Sequence, residues 1–296
     1  MSPFVRTYAM PVAMVVGVCF HSFFGRLSFL SPYLIAAMLF VTFTRVSASR
    51  LKLRKIHAGQ LGFQLLVSIA SYYLLRASGV SEVISQGVMI CIFAPAAMAS
   101  VVVGGMLGAD VATMTTFTLL SNMSVAVVAP LLFSVIGTNT AMPFAASFWL
   151  IFRRLLMLVV LPFVLTVVLE HVLPKAHKYV QEHQQWSFYL WTASLTILMG
   201  STANFILAQP KESFATEIIL AVASAVICVC QFLIGRWWGG RCGDKVAGGQ
   251  SLGQKNTLLA ILLAQSYLNP LSSVAPAAYV VWQNLINSWQ LSRKKK

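Results

Sequence analysis

Gly248-Gly249-Gln250-Ser251-Leu252-Gly253-Gln254-Lys255-Asn256-Thr257 runs without a loop into Leu258-Leu259-Ala260-Ile261-Leu262-Leu263-Ala264-Gln265-Ser266-Tyr267-Leu268. Its first half is polar, glycine-rich backbone and its second half is apolar enough for a membrane. Lys255 stands at the join. A lysine there needs a reason, because the chain avoids charge elsewhere: of 296 residues, 58% are hydrophobic and 9% charged, against about a quarter charged in soluble domains. With a mean hydropathy of +0.79, this composition places the protein in a bilayer. The stretch reads as an interrupted helix that helps build a binding site inside a membrane transporter.

Apolar runs of about 17–25 residues, the length a bilayer core demands, recur outward from this stretch. They fall at Tyr8–Phe24, Phe29–Thr44, His57–Leu75, Val83–Leu107, Val111–Ile136, Leu155–Leu173, Ser187–Leu207 and Phe214–Leu233, then the quoted stretch, then Leu271–Trp289. Phe144–Phe152, ending in Arg153-Arg154, reads as a helix lying at the interface. Lys175–Glu182 reads as a loop. Arg45, Arg50, Lys52, Arg54 and Lys55 crowd one connection with no acid among them. By the positive-inside rule that connection is cytoplasmic, as are both termini. The predicted fold is therefore an all-α polytopic membrane protein of ten transmembrane helices, expected in a bacterial inner membrane.

Ten spans divide as five and five, and the second half starts on the opposite side, so it is inverted. In each half the fourth helix carries breakers: Ala94-Pro95 and Gly104-Gly105 within Val83–Leu107, and the glycines of the quoted stretch. Proline removes a backbone bond and clashes with the preceding turn. Paired interruptions at corresponding positions point to a transporter site at a repeat interface, with the fourth and ninth helices broken and crossing. Thr115, Thr118 and Asn122 recur at helical spacing in the fifth span, and this polar face is expected to look inward. Asp110 is expected to cap that span.

Several functions are disfavoured. The net charge of +14 comes from short loops between apolar runs, so it marks topology rather than nucleic-acid binding. Cys19, Cys91, Cys228, Cys230 and Cys242 have no zinc-ligand companions at suitable spacing, and the same holds for His171, His177 and His183. Gly248 to Lys255 approaches a phosphate-binding loop, but Gln254 intrudes and Asn256 replaces the hydroxyl residue. With seven acids in the chain, no catalytic constellation assembles. No cofactor is expected beyond Na+ or H+ as a coupling ion. The expected partners are the lipid bilayer and a small organic solute, with no nucleic acid. Oligomeric state is not readable.

Ala94-Pro95-Ala96-Ala97-Met98-Ala99-Ser100, continuing to Gly108-Ala109-Asp110, resembles the fourth-helix motif of the bile acid:sodium symporter family. Gly253-Gln254-Lys255-Asn256-Thr257-Leu258-Leu259-Ala260 is similar to its ninth-helix motif. The resemblance implies a core domain of spans 3–5 and 8–10 (57–136 and 214–289) and a panel domain of spans 1, 2, 6 and 7 (8–44 and 155–207). Solute would bind between them, with alternating access by their rearrangement. It also implies sodium-type positions at Ser100, Thr118 and Gln64. The chain departs from the pattern with Val101, Met114, Ser251 and Lys255 at other ligand positions. A carboxylate is lost and a cation gained, which argues against two-sodium coupling.

Lys255 is the sharpest feature. A charge at mid-bilayer costs about 2.5–3.5 kcal/mol on insertion scales, whereas the carbonyl ends of broken helices favour a cation. The leading expectation is that its ammonium takes a former sodium position near Gln64 and the carbonyls around Ser251, with Gln254 and Asn256 beside it. Proton coupling, direct contact with an anionic solute, and a lysine simply facing water are the other readings. The overall expectation is a secondary active transporter of an organic anion. A receptor, sensor or assembly protein that retains the fold is the alternative.

Overall fold

The computed structural model describes residues 12–44, 53–137, 144–207 and 214–294. The expectations for the N-terminal residues, most of the basic 45–55 connection, the outer connections at 138–143 and 208–213, and Lys295-Lys296 lie outside them. The described residues are mostly helical, with short connections and one isolated backbone bridge between them. In chain order they form α1 (12–19), α2 (His21–Arg26), α3 (Ser31–Phe43), α4 (Lys55–Gly62), α5 (Ser68–Ala77), α6 (Glu82–Phe93), α7 (Met98–Leu107) and α8 (Val111–Ile136). There follow α9 (Phe144–Leu155), α10 (Leu161–Val172), α11 (Pro174–Glu182), α12 (Gln185–Leu207), α13 (Phe214–Arg241), α14 (Lys245–Gly253), α15 (Thr257–Tyr267) and α16 (Val274–Lys294). A π turn at Phe63–Val67 joins α4 to α5, and another at Leu156–Val160 joins α9 to α10.

Lys55–Ala77, Val111–Ile136, Phe148–Val172 and Phe214–Arg241 are long and apolar enough to cross a membrane; Ser28–Phe43, Glu82–Phe93 and Thr257–Tyr267 are shorter apolar helices. Two of the short ones are short because a break ends them. Two sequence expectations need correction. Phe144–Phe152 does not stop as a separate interfacial helix, since the π turn carries α9 onward into α10. Lys175–Glu182 is not a loop but part of α11, whose first residue, Pro174, has the φ a helix start requires and no N–H to leave unbonded.

The chain divides into two compact units, Met1–Ser47 with Ala126–Gln209 and Ala48–Val125 with Pro210–Lys296. In the first unit, α12 packs on α2 and α3. Polar groups tie them: His21 Nδ1 lies 2.6 Å from Asn204 Oδ1, the Thr42 and Ser187 hydroxyls are 2.7 Å apart, and the Gln184 amide donates to the Val41 carbonyl at 2.9 Å.

In the second unit, α13 shows how the sequence sorts its faces. Leu220, Ser224, Cys228, Gln231, Gly235 and Gly239 are buried, while Val222, Val226, Val229 and Leu233 form an exposed apolar stripe. In water such a stripe would drive association; against lipid it is the required surface. The glycines let α14 approach closely. A Cβ on Gly248 would overlap the Gly235 carbonyl oxygen, and one on Gly239 would overlap the Asp244 carbonyl oxygen.

Candidate functional site

Two breaks meet inside the second unit. The first separates α6 from α7: Pro95 has no N–H to continue the helix, and Ala94 is extended with ψ 138°. The second separates α14 from α15, where Gln254 is extended and Asn256 caps the new helix by accepting from the Leu259 N–H at 3.3 Å. The breaks lie antiparallel as a two-rung backbone bridge between Ala96 and Lys255. The Ala97 N–H donates to the Gln254 carbonyl at 3.0 Å, and the Asn256 N–H donates to the Pro95 carbonyl at 2.7 Å.

Unwound backbone away from water must find partners for every carbonyl. Here six successive carbonyls do so through six bonds. Cys91 accepts from Gln231 Nε2 at 3.2 Å and Ile92 from Lys255 Nζ at 2.9 Å. Phe93 and Ala94 accept from Gln64 Nε2 at 2.8 and 3.3 Å. Pro95 accepts from Asn256, and Ala96 from Asn122 Nδ2 at 3.2 Å. On the second break, Tyr279 donates its hydroxyl to the Gly253 carbonyl at 2.8 Å, and the Lys255 N–H donates to Gln283 Oε1 at 3.0 Å.

Lys255 is 2% exposed. The alternative reading of a water-facing lysine therefore does not hold: the side chain sets its Nζ on the Ile92 carbonyl in the last turn of α6. That end carries the negative pole of the helix dipole and orphan carbonyls. The bonded oxygen is that of Ile92, on the other broken helix, rather than one near Ser251. Gln64 holds the next two carbonyls along.

The remaining candidates separate into groups. Gln64 also accepts from the Ser121 hydroxyl at 2.7 Å, and that hydroxyl accepts from the Ala96 N–H at 3.0 Å. Gln254 is buried and donates to Gln250 Oε1, whose own amide reaches Gln290 at 2.8 Å. Ser251 is buried in α14, one turn before the break. Thr118 is buried but bonds back to the Met114 carbonyl at 2.9 Å. Ser100 Oγ and Asn122 Oδ1 are buried without a hydrogen-bond partner among the described residues. Thr115 departs from expectation: it is partly exposed and bonds back to the Val111 carbonyl at 2.8 Å, so it does not share the inward face of Thr118 and Asn122. Ser121, Gln231, Tyr279 and Gln283 belong to the crossing but were not among the sequence candidates. The available signal was two glutamines inside otherwise apolar helices.

Asp110 caps α8 as expected, accepting from the Ala112 N–H at 3.0 Å and the Thr113 hydroxyl at 2.7 Å, and it pairs with Arg54 at 3.0 Å. The Thr113 hydroxyl is the main cause holding this carboxyl below its ordinary value of 3.8; partial burial opposes the shift, and the Ala112 N–H and Arg54 guanidinium add to it. Asp244 caps α14 through Ala247 and accepts the Asp110 N–H, both at 2.7 Å. His57 accepts the Arg54 N–H on Nδ1 and sets Nε2 3.0 Å from the Thr113 carbonyl, an arrangement that suits the Nε2–H neutral tautomer. Among the described residues no group of three or more His, Cys, Asp or Glu gathers to hold a metal ion.

No curated protein matches the chain. The model of the sodium bile acid symporter family matches residues 27–209, more than half of the chain. The match takes in the first break and ends before the second. Helices of membrane-spanning length and apolarity agree with a membrane-embedded family whose members are transporters rather than enzymes. The chain belongs to the sodium bile acid symporter family.

Proposed function

We propose that the protein is a secondary active transporter of a small organic anion in which the Lys255 ammonium stands where relatives hold a coupling cation. The observation carrying this reading is the bond from Lys255 Nζ to the Ile92 carbonyl at the end of α6. Half-helix C-termini and unwound carbonyls are the groups with which transporters hold Na+ or H+, and here a covalently attached cation occupies one. The sodium-type positions fit a pair of sodium ions poorly. Val101 and Met114 offer no hard oxygen from their side chains, the Thr118 hydroxyl is spent on its own helix, and among the described residues no carboxylate bonds to the crossing to offset a metal's charge.

The wider architecture follows the same reading. α6–α7 and α14–α15 are the fourth and ninth of ten spans in two inverted repeats, and they cross within a core domain of spans 3–5 and 8–10. The division into two compact units supports a core and a panel whose relative movement gives alternating access. Both termini are cytoplasmic in a bacterial inner membrane.

The test is uptake by proteoliposomes of an anion first found by its stabilisation of the purified protein. Flux that persists when choline replaces sodium is the expected result. A large loss of flux on that exchange would overturn the built-in cation. Tight binding with no flux would instead assign the chain to the sensor class.

A further inference from the structure

The second unit contains a groove that the crossing does not use. Its volume is about 280 Å³, and Gly59, Phe63, Ile234, Trp237, Trp238 and Leu252 line it. Gln60 also lines it, but its amide donates to the Gly248 carbonyl at 2.7 Å, so the rest of the lining is apolar or indole.

α4 and α13 form its walls and run antiparallel. Gly59 packs so closely on Trp238 that a Cβ would overlap the indole. Five residues on, Gln64 reaches the end of α6, and α6 meets α13 at Gln231, one and a half to two turns before Trp238. Lys55 precedes Gly59 by one turn, and Arg241 follows Trp237 by one turn. Both cations therefore stand at the same end of the groove, on the faces that line it. They also mark the ends of two helices of membrane-spanning length, Lys55–Ala77 and Phe214–Arg241.

The Arg241 guanidinium lies 3.8 Å above the Trp237 ring, and Lys55 is exposed. Neither has a carboxylate within ion-pair distance among the described residues. Trp238 Nε1 is buried without a hydrogen-bond partner. An apolar slot thus opens into a mouth with two unpaired cations and an indole collar, at the depth where a span meets the headgroups. From Lys55 to Phe63 the slot extends about 12 Å along the helix axis.

We propose that this groove binds an anionic phospholipid. The phosphate sits between Lys55 and Arg241, and one acyl chain lies along Gly59, Phe63 and Ile234. Charge and shape agree: basic mouths between spanning helices attract anionic headgroups, and tryptophans favour the interface. The bound lipid braces α4 against α13 and so supports α14, which both helices contact.

The test uses the full-length protein purified in a neutral detergent. Phosphatidylglycerol, phosphatidylcholine with the same chains, and chain-free glycerol phosphate are added separately while thermal unfolding is followed. Phosphatidylglycerol is expected to raise the melting temperature by several degrees more than phosphatidylcholine, and glycerol phosphate is expected to leave it unchanged. The double variant Lys55→Gln/Arg241→Gln is expected to need about tenfold more phosphatidylglycerol for half its effect. Equal stabilisation by the two lipids, full stabilisation by glycerol phosphate, or an unaltered requirement in the variant would each overturn the proposal. Native mass spectrometry of the unmodified protein covers the case of a variant that does not fold. Retention of phosphatidylglycerol over phosphatidylcholine from an equal mixture is expected there, and equal retention would contradict it.

Discussion

Lys255 holds two structural positions at once. Its backbone forms the bridge to Ala96, and its side chain closes the last turn of α6. Truncation removes a buried stem and leaves the Ile92 carbonyl unbonded in a place water does not reach. Lys255→Ala is therefore expected to destabilise the protein by about 2–4 kcal/mol, from a lost charge-assisted bond and a new cavity. Denaturant unfolding in detergent measures this; a change under about 0.5 kcal/mol, the range of ordinary surface substitutions, would mean the bond is incidental. Asp110 gives a second residue-scale expectation. Its carboxyl is held below its ordinary value of 3.8 in the folded protein, so the unfolded chain binds the proton more readily. Its stabilisation is complete above the ordinary value and is lost as pH falls through the lowered one. Asp110→Asn should therefore flatten the acid limb of a stability-versus-pH profile while still capping α8; an unchanged acid limb would contradict the assignment.

At the scale of elements, the crossing depends on close backbone approach. α14 lies against α13 because Gly235, Gly239 and Gly248 bring no side chains between them. Gly248→Ala drives a methyl into the Gly235 carbonyl and is expected to cost about 2–3 kcal/mol through overpacking. Gly62→Ala has open space around its new Cβ and should be neutral or stabilising by up to about 1 kcal/mol through helix propensity. Thermal unfolding of both variants compares them; equal effects would show that the glycines are not needed for packing. The existence of the breaks was legible in the sequence, because Pro95 and the run from Gly248 to Gly253 obstruct a helix locally. The partners of the freed backbone were not. Gln231, Tyr279 and Gln283 lie far along the chain from the carbonyls and N–H they serve, and only folding brings them there. Thr115 failed for a related reason. Helical spacing groups it with Thr118 and Asn122, and its hydroxyl bonds back to the preceding turn as that of Thr118 does, yet Thr115 is partly exposed and Thr118 buried; which of the two faces protein is set by packing between helices, which spacing along one helix does not reveal. The helix α11 was missed because a charged, His-containing segment resembles a loop when charge alone is weighed.

Among the described residues the outer surface departs from that of a soluble protein. Glutamines, hydroxyls and one lysine are buried within an apolar core, and many further valines and leucines face outward. The membrane character was legible at once from composition, since it needs no long-range information. Lys255 was legible only as an oddity, a lysine in an apolar context; its partner, the Ile92 carbonyl, was not. Under the proposed function the protein carries its own cation at the crossing and so requires no sodium there. The most direct measurement is the melting temperature of the purified protein in sodium chloride and in choline chloride at matched ionic strength. Any ion that binds the folded state alone must raise that temperature. The unmodified protein is expected to show the same midpoint in both salts. A sodium-specific, concentration-dependent rise would contradict it.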